Sequence, residues 1–198
     1  MAIRKIAQLG EPVLRREARP LDPAEIRAPS TQQLILDMID TMRDADGAGL
    51  AAPQVYESIQ LVVIELTSPR RYPDVERIPL LILVNPVVTP LVGQGALLED
   101  GEAITVYEGC LSVNGLRGRV RRPRRVRVQA LDGEGAPLDF IWEGFRAAVV
   151  QHEVDHLRGT LYIDRAIPKS LIFLREYERY VSPEERVVDG GAAPTSAG

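Results

Sequence analysis

Apolar positions follow two different periods along this chain. Over residues 30–46, Leu34, Ile35, Met38, Ile39 and Met42 recur at spacings of three and four, which predicts an amphipathic helix. Ser30 and Gln33 have the spacing of a capping box at its start, and Gly47 supplies a stop. Residues 60–66, by their β-branched content at Val62, Val63 and Ile64, predict a buried strand. Residues 80–84 predict a second, which Asn85-Pro86 breaks before Val87, Val88 and Leu91. Residues 67–79 and 93–101 read as loops. Residues 126–131 and 138–142 flank Asp132-Gly133-Glu134-Gly135, a hairpin signature. Phe145, Ala148, Val149, His152 and His156 return to helical spacing, and Gly159 ends that helix. Leu161-Tyr162-Ile163-Asp164 reads as short and extended, and Leu171, Leu174, Tyr177 and Val181 as a final helix.

Residues 1–29, rich in Pro and Arg, read as an arm packed over the domain. From Ser182 the chain is polar and Gly/Ala-rich, so residues 182–198 are expected to be disordered behind one catalytic domain spanning 1–181. The fold class expected is α+β: short, mostly antiparallel sheets around a central helix that carries the two histidines.

Composition narrows the picture little. The chain has 198 residues, 45% apolar and 26% charged, with a net charge of −4. That balance gives no general attraction to DNA or an anionic membrane. No apolar run has the length of a membrane span, and the start lacks a secretory signal, so a cytoplasmic location is expected. Seven arginines fall between positions 117 and 127, alternating in part with valines. A strand with one solvated face explains them better than an RNA-binding stripe, because no aromatic residues are interleaved.

The chemistry sits in Gln151-His152-Glu153-Val154-Asp155-His156, which holds both histidines of the chain. Histidines at i and i+4 project from one helix face and suit two ligands of one metal, with the intervening glutamate placed to accept a proton from water. Cys110, Glu176 and Glu178 are candidates for the third ligand. The residues favour Cys110, the chain's one cysteine, in Glu108-Gly109-Cys110-Leu111-Ser112. There Gly109 would permit an unusual backbone and the Leu111 N–H would point into the site. A Cys/His₂ set suits zinc, iron(II), cobalt or nickel. Asp155 reads equally as a residue that orients a ligand or as an exposed helical aspartate. The segment Gly47-Ala48-Gly49-Leu50-Ala51-Ala52-Pro53-Gln54 lacks the features of a phosphate loop and offers bare backbone instead, either for a substrate or for a tight turn.

These three motifs, in this order and with these separations, resemble the signatures of peptide deformylase; the likeness continues through His156-Leu157-Arg158-Gly159-Thr160-Leu161-Tyr162-Ile163-Asp164-Arg165. The resemblance implies a hydrolase that removes the formyl group from N-formylmethionyl nascent peptides, working transiently near the ribosome. It implies one divalent ion per chain, iron(II), held by Cys110, His152 and His156. Glu153 would be general base and acid, and Gln54 with the Leu111 N–H would hold the oxyanion. Gly49 would contact the peptide backbone, with Gly109 and Arg117 also on the substrate side. Ala48, Phe145, Ala148 and Val149 would line the methionine pocket. The chain departs from the family at Asn114, where proline is common, at Arg119, where an acidic residue is common, and in lacking a basic extended C-terminal helix. Two other readings are an endopeptidase using Glu176 as a ligand and a binding module with a closed structural metal site.

Overall fold

The computed structural model describes residues 2–66, 77–91 and 101–189. The loops expected at 67–79 and 93–101 lie mostly outside these residues, as does the tail from 190. In chain order the elements are α1 (Pro23–Ile26), α2 (Pro29–Asp44), β1 (Gly49–Ala51), β2 (Leu61–Leu66), β3 (Ile78–Pro90), β4 (Ala103–Cys110) and β5 (Val113–Pro123). They continue with β6 (Arg125–Leu131), β7 (Pro137–Glu143), α3 (Gly144–Leu157), α4 (Tyr162–Arg165), β8 (Ile172–Phe173), α5 (Leu174–Tyr180), α6 (Pro183–Arg186) and β9 (Val187–Asp189). Short 3-10 turns occur at Pro12–Arg15 and Ala52–Val55.

Two antiparallel sheets result, ordered β1-β2-β3-β6-β7 and β8-β5-β4-β9. The first is covered on both faces, which is why β2 is apolar except at Glu65. Leu61 and Val63 pack with Leu34, Ile35, Met38 and Met42 of α2. Val62, Ile64, Val126 and Val128 pack with Ala147, Val150, Val154 and Leu157 of α3. The second sheet meets α3 from another side, through Ile104 and Val106 against Ala148. The histidine-bearing helix is therefore central, as the sequence predicts.

The N-terminal arm packs as expected, burying Ala7, Leu14, Ala18 and Leu21. Several local expectations change. Helix α2 starts at Pro29, whose fixed φ and missing N–H suit the first helical position, and its N-cap Ala28 has no side-chain cap. Gln33 instead donates to Asp37 Oδ1 at 2.8 Å. At the other end Asp46, not Gly47, takes the left-handed conformation (φ 51°). A Cβ on Gly47 would lie 2.9 Å from Leu111 Cδ1, so that glycine answers to packing.

Asn85 does not end a strand. Strand β3 runs through it with a register shift between Val84 and Val87. The Asn85 amide donates to the Leu21 carbonyl at 2.8 Å and its Oδ1 accepts from Leu21 N–H at 2.9 Å, tying the arm to the sheet. Residues 162–165 form a helical turn rather than an extended piece, because Asp164 Oδ2 accepts from the Leu161 N–H at 2.8 Å. The final helix shortens to α5, since Ile172 and Phe173 pair with Arg117 and Leu116. Within the expected tail, residues 183–189 form α6 and β9, which pairs with β4 over Ile104–Val106; the rest, from 190, lies outside the described residues.

Gly159 (φ 67°) ends α3 against the arm, where a Cβ would stand 2.7 Å from the Arg15 carbonyl carbon and oxygen. Gly159→Ala is expected to lower unfolding free energy by ~1–2 kcal/mol in urea titration, from left-handed strain plus that clash.

Candidate metal centre

Helix α3 presents both histidines on one face, with ring centroids 5.1 Å apart. Strand alternation does the rest from the opposite side. On β4, Ile104, Val106, Glu108 and Cys110 face inward, and the strand ends with the thiol against α3. Cys110 Sγ lies 3.3 Å from His156 Nε2. One ligand atom each from Cys110, His152 and His156 falls within 4.8 Å of the others, and among the described residues no fourth Cys, His, Asp or Glu joins them. Glu176 and Glu178 sit on α5 outside this group, Glu178 exposed.

The electrostatics suit a cation. Burial pushes the Cys110 thiol up, but His156 and His152 outweigh it and hold the thiol well below its ordinary range, as a ligand thiolate requires. The sulfur also accepts from Ser112 N–H and Gln54 Nε2, each at 3.4 Å. Burial lowers His152, yet the sulfur and Glu108 raise it well above its usual value. A thiolate and a carboxylate thus favour positive charge at this spot, which a divalent ion would supply. The residues fit a metal.

A second layer holds this set in place. Glu108 Oε2 pairs with His152 Nδ1 at 2.8 Å, which leaves Nε2 for the metal. Arg122 Nε and Nη2 donate to the two Glu108 oxygens at 2.7 and 2.9 Å, while its Nη1 donates to Asp155 Oδ2 at 2.6 Å. Asp155 also accepts from Arg165 at 2.7 and 2.8 Å. Burial alone would raise the Glu108 carboxyl, but Arg122 and then His152 bring it down to about 2. Asp155 is buried, not exposed, and acts on the ligands through Arg122. The arginine-rich stretch is indeed strand, yet its inward positions include Arg122, so the expected single solvated face is not a clean one. Its outer arginines are matched locally, Arg125 with Glu143 and Arg127 with Asp139.

Beside the centre opens a cleft of about 310 Å³. Of the residues singled out in the sequence, Ala48, Gly49, Gln54, Gly109, Cys110 and Leu111 line it, together with Arg117, Phe145, Ala148, Val149, His152 and Glu153. His156 is buried behind them. The cleft also takes in Ile6, Tyr107 and Leu174, to which the sequence assigned nothing. Gln54 is oriented by its own turn, with Oε1 accepting from Ala51 N–H at 2.8 Å and Nε2 donating to Ser112 Oγ at 3.1 Å. Gly109 sits where the β4–β5 register shifts between Glu108 and Cys110, an irregularity made without a left-handed φ. A Cβ there would fall on the Arg117 guanidinium, which crosses over it. Gly49 is bare for a similar reason, since a Cβ would overlap the Glu153 carboxylate.

Comparison with known proteins agrees with this geometry. The sequence profile described as polypeptide deformylase matches residues 3–171. The chain belongs to the peptide deformylase family. It is 45% identical to the peptide deformylase of Leptospira biflexa over 166 residues, 83% of this chain and 88% of that one. It is 46% identical to peptide deformylase 2 of Pseudomonas putida over 163 residues, 82% and 87% of the two chains. The fold is similar to the Met-Ala-Ser-bound class I type b peptide deformylase of Acinetobacter baumannii, with a TM-score of 0.74, 34% identity, and 83% of this chain and 98% of that chain covered. Deformylases are metal-dependent hydrolases that remove the formyl group from the N-terminal methionine of new polypeptides, and this chain is such an enzyme. No helix among the described residues is long and apolar enough to cross a membrane.

Glu153 is buried, its Oε2 makes no hydrogen bond among the described residues, and burial raises its carboxyl above the ordinary range despite both histidines. Its position depends on the space at Gly49. Gly49→Ala is therefore expected to keep the metal but to lower kcat/KM by ~10², the scale of loss when a catalytic group is displaced by about 1 Å. Metal content by elemental analysis and initial rates would check this together.

Proposed function

We propose that one catalytic domain, residues 1–181, deformylates N-formylmethionyl peptides with Cys110, His152 and His156 as metal ligands and Glu153 as the proton-transfer residue. The observation that carries this reading is the buried Glu153 carboxylate lining the same cleft as Cys110 and His152 of the Cys/His₂ set. When bound, the divalent ion supplies Lewis acidity to the formyl carbonyl and to the attacking water. Glu153 accepts a proton from that water as its oxygen bonds to the formyl carbon. The Gln54 amide and the Leu111 N–H donate to the formyl oxygen as charge develops there. Glu153 then returns a proton to the nitrogen, the C–N bond breaks, and formate leaves the free amine behind. The raised Glu153 pKa suits both transfers.

Ala48, Phe145, Ala148 and Val149 take the methionine side chain. The backbone of β1 at Gly49 and of β4 at Gly109 lines the cleft, which supports strand-like binding and tolerance of many second residues. Arg117 Nη1 donates to the Leu116 carbonyl at 3.3 Å, and the side chain faces the cleft, where it meets the peptide beyond methionine. That the Acinetobacter relative binds Met-Ala-Ser supports a short peptide beginning with methionine as the ligand. We assign iron(II) as the native ion, and place the enzyme in the cytoplasm, close to ribosomes as chains emerge.

The test is formate release from a formyl-methionyl tripeptide by anaerobically purified protein loaded with iron(II) or nickel. Metal-dependent release is expected, with chelation abolishing it. Glu153→Ala should retain metal and lose ~10²–10⁴ in kcat, while Cys110→Ser should lose metal. Wild-type turnover in the Glu153 variant would sink the assignment of the base. Internal cleavage of an unblocked peptide, abolished by Glu176→Ala, would favour the endopeptidase instead.

A further inference from the structure

We propose that the C-terminal segment α6–β9 limits how much of a peptide the cleft reads; this rests on the deformylase reading above. Strand β4 has two edges. One pairs with β5 from Ala103 to Cys110, and the other carries β9 over Ile104, Thr105 and Val106 only. Among the described residues no strand covers that second edge from Tyr107 to Gly109, and those three residues wall the cleft.

A peptide whose formyl end lies at Cys110 has to run from Cys110 toward Tyr107, antiparallel to β4. Strand β9 runs in the same sense, with Val187 opposite Val106, Val188 opposite Thr105 and Asp189 opposite Ile104. It therefore holds the positions that the next residues of a bound peptide strand would take. Pairing one residue to one, the open edge accommodates about three residues of peptide.

The blocking segment is anchored. Val187 packs on Ile104, Val106 and Ala148 together with Phe145. The Arg186 guanidinium lies 5.3 Å from the centre of the Tyr177 ring, which meets Tyr107 of the cleft edge-on at 5.2 Å. Arg186 Nε is buried and has no hydrogen-bond partner among the described residues. It is a donor at the point where a longer peptide must leave the sheet edge. The consequence is an enzyme that pairs with the first few residues of any chain and turns the remainder outward.

The experiment measures kcat/KM for formyl-methionyl peptides of three, six and nine residues, using the metal-loaded full chain. Values within about two-fold of one another are expected, because no further ladder bonds form. In the variant carrying both Val187→Pro and Val188→Pro, β9 should release. Neighbouring strand residues point their N–H groups to opposite sides, so one of the prolines must remove a ladder donor. That variant should turn over the six-residue peptide about ten-fold better relative to the tripeptide than the parent does, as two added backbone bonds would give. A steep rise with length in the parent overturns the proposal. So does a flat profile in the proline variant when amide exchange shows Ile104–Val106 opened. Formate from no peptide of any length would instead overturn the deformylase reading, and this proposal with it.

Discussion

Arg122 is the charge on which the site is built. Its guanidinium grips Glu108 with two bonds and Asp155 with a third, so one side chain joins β5 to β4 and β4 to α3. Through Glu108 it also fixes the ring of His152. Desolvating such charges is costly, and removing one partner from a buried pair commonly costs ~3–5 kcal/mol because its mate is left unpaired. The arrangement is balanced: two arginines, Arg122 and Arg165, face two carboxylates, Glu108 and Asp155. What the clamp secures is relative position. A thiolate from a strand end and two imidazoles from a helix converge only if sheet and helix keep their spacing.

Around this clamp the chemistry is made by what is left out. Gly49 omits a side chain where Glu153 needs room, and Gly109 omits one where Arg117 crosses. The uncovered edge of β4 beside them is the natural seat for a peptide backbone. In the proposed binding mode, enzyme and substrate share one strand edge, with Cys110 at the reacting end and β9 at the far end. Apolar packing of Ala148 and Phe145 from α3 makes the pocket wall continuous with the core that holds the metal ligands.

Much of this was legible in the residues. The i, i+4 histidines imply one helix face wherever that helix lies, and its apolar stripe implied a buried setting. The hairpin through residues 132–135 followed from turn chemistry. Composition favoured Cys110 over Glu176 as the third ligand, and the end of β4 sets its sulfur within 4.8 Å of the histidine ligand atoms. Other features depend on contacts that sequence spacing does not encode. Arg122 sits among six other arginines, and nothing local separates the buried one from its solvated neighbours. Glu108 stood in a motif without a role until its partner was seen. Asn85-Pro86 reads as a break, and only the arm at Leu21 makes it a bulge. Residues 187–189 look like tail until the open edge of β4 gives them a partner.

The most direct test of the central claim is a cobalt(II) titration followed by the thiolate-to-cobalt charge-transfer absorption, comparing the intact protein with Arg122→Met. Far-UV circular dichroism would confirm that both are folded. The account expects one cobalt per chain bound through sulfur in the parent, and affinity weakened ~10–100-fold in the variant, the usual cost of losing a group that orients metal ligands. Equal affinity and an unchanged spectrum in a folded Arg122→Met protein would contradict it, since the ligands would then hold their places without the clamp.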